Sequence, residues 1–514
     1  MKKIVLCCLE KWKRIISSAP YYLRNYALED EIIKSAYCFD ILHFSTNASS
    51  DYIANKILSL NPEIVGFTTY LWNIIEVLKV ADRLKEKNCN IKIILGGVEV
   101  SGQREKIFEI NQSVDVIVFD EGERTFRKLL HGLLKETTSE LQTIANIAYR
   151  DGDNIITNSE NDFIMNLSEI PSIYLSPTNT MPLRPWQLMC ISRGCPYRCS
   201  YCNWGLNSLK FFPIDRIIEE LKYLLAQPII ETIYFCDSDI LFSEEYSLKI
   251  FEVIMSCNSL NKKCLFDINP ELITEKHIKL LSNAKKGVFC FHCAVHSKDL
   301  LFNRNVLNRN INNVKCKDAM DRLDKHTNVE TSICFTYNFP SQTIDSIIED
   351  TIDYILLLSP SQLFALPLLI FPGTEFYKKP SKYGIIDFDR QPPYGIIETK
   401  TLSKDEILRM IVIMEAIVYI YNVIELRTSF NLLISNIKNH SPGRMYYKLA
   451  RHLTDGGKTC WEKFANLKYD YVRYIKIMSS DYNIPITVFN ECVAKVAKSS
   501  FERYGDRYGS ATFQ

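Results

Sequence analysis

ISRGCPYRCSYCNWG, residues 191–205, places Cys195, Cys199 and Cys202 within eight positions. Three residues separate the first two cysteines, two separate the second and third, and no fourth follows in the stretch. A zinc site takes four ligands, commonly as two separated pairs. Here the next cysteine, Cys236, lies inside the strand-like run TIYFCD. An iron–sulfur cube also presents four irons. Three thiolates leave one of them open, which suits a cluster that binds a substrate or cofactor rather than one that only carries electrons.

The surroundings of the triplet support a chemical reading. From Trp186 onward the runs QLMCIS, TIYFCD, LFDI, VFCFHCAV, SICFTYN and QLFALPLL alternate with helical or loop segments. Six such units predict a partial (β/α)6 TIM-like barrel over residues 187–385, and barrels of this kind carry their reactive groups at the carboxyl ends of strands. The cysteine loop follows the first of these strands.

Ahead of it, KIVLCCL (3–9), CFDILHF (38–44), EIVGFTT (63–69), IKIILGG (91–97) and VDVIVFD (114–120) alternate with helical patterns, clearest in IIEVLKVADRLKEK (74–87). Five strands alternating with helices predict an α/β, doubly wound, flavodoxin-like sheet over residues 1–140. Such sheets bind ligands beyond the carboxyl ends of their strands. Those ends carry Thr68, Thr69 and Tyr70, then Gly96 and Gly97, then Asp120, Glu121, Gly122 and Glu123. The first strand is not followed by GxGxxG, which disfavours a dinucleotide. Residues 141–186 read as a polar, proline-punctuated linker with a hairpin at RDGDN (150–154), and 386–514 as a helical, aromatic-rich region.

Composition narrows the classes. The formal charge is +1, from 61 basic and 60 acidic residues, so it gives no general attraction to nucleic acid or an anionic membrane. Seventeen cysteines are mostly scattered singly in apolar runs, and MKKIVLCCLEKW is charged too early for an export signal. Reduced thiols in a cytoplasmic protein are the expectation. The apolar run Ile407–Leu426 holds Arg409, Glu415, Asn422 and Glu425, so a buried helix opened by Ser403 is expected rather than a membrane span.

CxxxCxφC, with Tyr201 at φ, resembles the signature of the radical S-adenosylmethionine (SAM) superfamily. FDINPE (266–271), AVHS (294–297) with Asn308-Arg309, YNFPSQT (337–343) and LIFPGT (369–374) resemble that family's later strand-end elements. Ala294, His296, Asn338 and Ser341 depart from the usual residues there. GFTTYLWN (66–73), IILGGVEVS (93–101), DEGE (120–123), LSEIPS (167–172) and PPYGIIET (392–399) resemble the cobalamin-dependent branch, and the resemblance thins over roughly the last 100 residues.

The resemblance implies three cofactors: a 4Fe–4S cluster on Cys195, Cys199 and Cys202; SAM near Tyr201, Asp237, Asp267, His296 and Arg309; and cobalamin near Thr68, Thr69, Tyr70, Trp72, Gly96, Gly97, Glu121 and Gly122. DxHxxG is absent, so Tyr70, Leu71 or Trp72 is expected to cover the lower face of the cobalt. The implied activity is methylation of an unactivated carbon of an amino acid, peptide or natural-product intermediate, through methylcobalamin and a 5'-deoxyadenosyl radical. A flavodoxin or ferredoxin is expected to supply electrons. The alternative is a rearrangement, cyclisation, oxidation or epimerisation, with Cys334 as a spare hydrogen donor. No acid–base residue is assigned.

Overall fold

The computed structural model describes residues 1–135, 138–159, 162–176, 181–204, 208–438, 440–457 and 467–497. Trp461, one of the aromatic residues of the C-terminal region, lies outside them. The chain divides into two compact units. The first comprises Met1–Arg198, Cys202–Phe266 and Phe371–Lys378; the second comprises Cys199–Tyr201, Asp267–Ile370 and the remainder from Lys379.

The first unit is built on β1 (Lys2–Glu10), β2 (Tyr37–Ser45), β3 (Ile64–Thr68), β4 (Lys92–Gly96), β5 (Val116–Val118), β6 (Ile147–Asp151) and β7 (Asn154–Thr157), in the order β2-β1-β3-β4-β5-β6-β7. The first five are parallel, and β1 pairs with β2 (Lys2↔Tyr37) on one side and β3 (Ile4↔Ile64) on the other. The strands are nearly continuous apolar runs because both faces are covered. Val5, Leu9, Val65, Phe67 and Ile93 pack with the helices Ser50–Leu58 and Ile74–Lys87. Ile4, Leu6, Ile64, Val116 and Val118 pack with Ala19–Leu28 and Gly122–Lys135. Each such fully buried side chain contributes about 1.5–3 kcal/mol. The hairpin expected at 150–154 forms through Gly152 at φ +60°, and its strands extend the sheet, β6 antiparallel to β5 and β7 antiparallel to β6.

Further along the first unit, β8 (Trp186–Met189) pairs parallel with β11 (Thr232–Phe235), and β11 with β12 (Lys263–Ile268). Between them β9 (Ser192–Arg193) and β10 (Lys210–Phe211) form a short antiparallel ribbon that brackets the cysteine loop, with Lys210 opposite Arg193. In the second unit β13 (Phe289–Ala294), β14 (Glu330–Tyr337) and β15 (Gln362–Pro367) pair parallel in chain order. All six expected barrel strands are present.

A small antiparallel pair, β16 (Ile385–Phe388) and β17 (Ile396–Thr399), precedes the C-terminal helices. The first of these, Lys404–Asn422, starts in a capping box: Ser403 Oγ accepts from the Glu406 amide, and the Glu406 carboxylate accepts from the Ser403 amide. It breaks at Val423, where Ile424–Ile434 continues at 96°. Among the described residues no single helix is long and apolar enough to cross a membrane.

Candidate functional site

A cavity of about 260 Å³ lies at the carboxyl edge of the first sheet. Thr68, Tyr70, Gly96, Gly97, Glu121 and Gly122 line it, as the sequence implied. Thr69 and Trp72 do not. Thr69 is fully buried, its hydroxyl donating to the Gly96 carbonyl at 2.9 Å. Trp72 stacks on Tyr70, centroids 4.4 Å apart and 8° between planes. The sequence reading missed Pro20 and Arg193, which also line the cavity, as do Gly66 and Glu123, quoted in GFTTYLWN and DEGE but not among the expected cofactor contacts. Gly66 carried a usable signal, since glycine inside a strand marks a close backbone approach.

These residues fit a large flat group laid over strand ends. The lining is cut back to backbone at four glycines, and buried Thr68 Oγ1 has no hydrogen-bond partner among the described residues. Burial pushes the Tyr70 phenol up to about 12, so it stays neutral. Gly97 is fixed by two constraints: it sits at φ +120°, and a Cβ there would lie 2.5 Å from the Thr69 carbonyl oxygen. Gly97→Ala is expected to cost at least about 3 kcal/mol locally and to weaken cobalamin binding tenfold or more, measured by spectroscopic titration. Gly152→Ala, where nothing lies within 4 Å, is the control for left-handed backbone alone.

The cysteine loop is anchored at its entrance. Asp237 is buried and accepts from the Ile191 amide, the Ser192 amide (2.6 Å) and the Ser192 hydroxyl (2.7 Å). That places it as a holder of the loop's first residues. Both strands of the β9–β10 ribbon carry a cation, Lys210 buried and Arg193 partly buried. Arg193 forms a fork with Glu123 at 3.0 and 2.5 Å, and Lys210 pairs with Glu121 while donating to the Ile164 carbonyl at 2.8 Å. Glu121, expected at the cofactor, is therefore already engaged. The three cysteines fit a cluster: none is in a disulfide, Cys195 is buried and Cys199 and Cys202 are partly exposed. The Trp204 amide points at Cys202 Sγ from 3.4 Å, as it would at a thiolate.

In the second unit Tyr201, His296 and Phe339 pack edge to face, with centroids 5.3–5.6 Å apart. Burial, then the Arg309 charge, lower the His296 imidazole to about 3, so it is neutral. Its Nδ1 accepts from the Thr336 amide at 3.2 Å. Nε2 therefore carries the proton and donates to the Tyr201 hydroxyl at 2.7 Å. His296 thus holds the aromatic residue of the cysteine motif. Arg309 is buried, and Asp267 lies close enough to Cys334 to help burial raise that thiol to about 12.

Comparison with known proteins agrees with this layout. Residues 31–130 match the B12 binding domain family, residues 189–355 the Radical SAM superfamily, and residues 381–492 a family of proteins of unknown function (DUF4080). The cobalamin-dependent radical SAM methyltransferase TokK of Streptomyces tokunonensis is 30% identical over 228 residues, covering 42% of this chain and 33% of its own length. The 2-(S-pantetheinyl)-carbapenam-3-carboxylate methyltransferase of Streptantibioticus cattleyicolor is 27% identical with the same coverage. The chain thus spans about a third of the length of these curated relatives. The structure of the cobalamin-dependent S-adenosylmethionine radical enzyme OxsB with aqua-cobalamin and S-adenosylmethionine bound superposes with a TM-score of 0.64. That match covers 97% of this chain and 84% of OxsB at 15% identity, a likeness of fold. The solved structure of TsrM from Kitasatospora setae holds cobalamin and a [4Fe-4S] cluster, and that of OxsB holds aqua-cobalamin and S-adenosylmethionine. Residues 31–130 thus carry the match to the B12 binding domain and residues 189–355 the match to the Radical SAM superfamily, the two combined in one chain as in the cobalamin-dependent radical SAM proteins it resembles.

Proposed function

We propose that the chain is a C-methyltransferase acting on an unactivated carbon of an amino acid, peptide or natural-product intermediate. The observation that carries this reading is the pairing, in one chain, of a glycine-cut cavity at the edge of a B12-binding sheet with an open-cornered cysteine triplet. Bound, the cofactors supply one-electron cleavage of the SAM sulfonium and carriage of a methyl group. The chain's own residues bind and orient. Cys195, Cys199 and Cys202 hold the cluster. Tyr201, kept in place by His296, borders the SAM side with Asp267, and Arg309 suits the SAM carboxylate because a guanidinium pairs with it through two hydrogen bonds. Asp237 acts one step back, through the loop it holds. Thr68, Tyr70, Gly96, Gly97 and Gly122 would seat cobalamin, with Tyr70 backed by the stacked Trp72 and Thr69 and Glu121 holding the rim. An external flavodoxin or ferredoxin delivers the electron in the cytoplasm.

The reconstituted chain, incubated anaerobically with SAM labelled in its methyl group, cobalamin and a low-potential reductant, is expected to release both S-adenosylhomocysteine and 5'-deoxyadenosine. Deoxyadenosine alone would sink methyl transfer and favour a rearrangement or cyclisation, for which the protonated Cys334 thiol is a fitting hydrogen donor.

A further inference from the structure

Cys8, Glu10 and His43 bring one sulfur, one oxygen and one nitrogen donor within 4.8 Å of one another. They come from the carboxyl ends of β1 and β2, neighbouring parallel strands in which Cys8 is registered with His43. We propose that they form a zinc site, separate from the three cofactors. Zinc binds this mixture of thiolate, imidazole and carboxylate, at about 2.3 Å to sulfur and 2.0–2.2 Å to nitrogen and oxygen. Tetrahedral donors at those lengths lie about 3.3–3.7 Å apart, a spacing that falls between the 3.0 Å separating His43 Nδ1 from Glu10 Oε1 and the 4.8 Å limit of the cluster.

The surroundings are those of a held site. His43 Nδ1 faces Glu10 Oε1 at 3.0 Å, and Nε2 lies 2.9 Å from the Tyr21 hydroxyl. With Nδ1 on the ion, Nε2 carries the proton and donates to Tyr21, the outer partner that fixes ring and tautomer in metal sites. The Ser17 amide donates to Glu10 Oε1 at 2.9 Å and orients the carboxylate in the same way. The Cys8 thiol is buried, whereas the Glu10 and His43 side chains are 15% and 12% exposed, which leaves an entry path from solvent. Three protein donors leave a fourth position for water or a ligand. The ion would tie the ends of β1 and β2 together beside the residues that precede the helix Ala19–Leu28.

X-ray absorption at the zinc edge of the full chain carrying cluster and cobalamin tests this without interference from iron or cobalt. The expected result is about one zinc per chain, with one sulfur near 2.3 Å and nitrogen or oxygen near 2.0–2.2 Å. Cys8→Ala and His43→Ala are expected to lose the zinc and keep the iron, and Tyr21→Phe to weaken zinc about 10-fold in a chelator competition. Absence of zinc after dialysis against the ion, an edge without a sulfur neighbour, or zinc retained in both alanine variants overturns the site. If an alanine variant fails to fold, the spectrum of the unsubstituted chain decides.

Discussion

Cys199→Ala is expected to drop cluster iron from about four atoms per chain to below one and SAM cleavage to background. Cys195→Ala and Cys202→Ala should do the same. Each cubane corner bound by protein rests on one thiolate, and the neighbouring thiols Cys190 and Cys236 are engaged with backbone carbonyls. Cys190 and Cys236 test this claim, since they lie within the same strand-end region. Cys190 Sγ donates to the Ser192 carbonyl at 3.0 Å and Cys236 Sγ to that of Met189 at 3.2 Å. A hydrogen bond to Cys236, then burial, push the Cys190 thiol well above its ordinary value. A thiol held protonated is a poor iron ligand. Cys190→Ala and Cys236→Ala should therefore keep iron content and the brown absorption. Iron and cleavage unchanged in any one of the three loop variants would remove the basis of the cofactor assignment. Loss of iron in Cys190→Ala would move the ligand set.

Much of this was legible from the chain because the decisive signals are local. The five strands of the first sheet each announced themselves as apolar runs, and the helix at residues 74–87 occupies the positions its periodicity predicted. The cysteine motif needs no tertiary context, since eight residues of chain cannot carry its ends far apart. The illegible parts were the ones made by packing. Arg193 carries no signal of its own in the sequence, but it lines the cavity and forks onto Glu123 some 70 positions away. Glu121 lines the cavity, and its pairing with Lys210, 89 positions on, is made by packing alone. The hydrogen bonds by which Asp237 and His296 hold the cysteine loop and its tyrosine are likewise long-range. The polar stretch around Gly152 reads as a linker hairpin, and only the sheet order shows that its strands lengthen the first sheet.

Arg193→Ala is the second change with a large expected effect. Arg193 and Lys210 are opposite each other on the ribbon that brackets the cysteine loop, and their partners, Glu123 and Glu121, sit two apart in the DEGE turn at the cavity rim. Two buried ion pairs therefore pin that ribbon to the rim. The Arg193 and Glu123 side chains are 18% and 7% exposed, so screening by water is weak. Burial alone would push the Glu123 carboxyl up. The Arg193 charge and its forked hydrogen bonds outweigh burial and hold the carboxyl below the ordinary range. Removing one partner of such a pair costs about 3–5 kcal/mol, because the other is left buried and uncompensated. Arg193→Ala should lower the first thermal transition by about 10 °C. A carboxyl whose folded pKa lies below its unfolded value, near 4.3, stabilises the fold above that pH. The contribution fades as pH falls through the lower folded value. The unsubstituted chain should therefore lose stability below about pH 4 more steeply than Glu123→Gln does. Arg193→Met combined with Glu123→Leu separates the two roles of the pair. Apolar replacement of both partners should recover most of the melting temperature, yet leave cobalamin binding and turnover impaired, because the ribbon has lost its fixed register against the rim. Full recovery of turnover in the double variant would reduce the pair to stability alone, and an unchanged melt in Arg193→Ala would show that the pair contributes nothing.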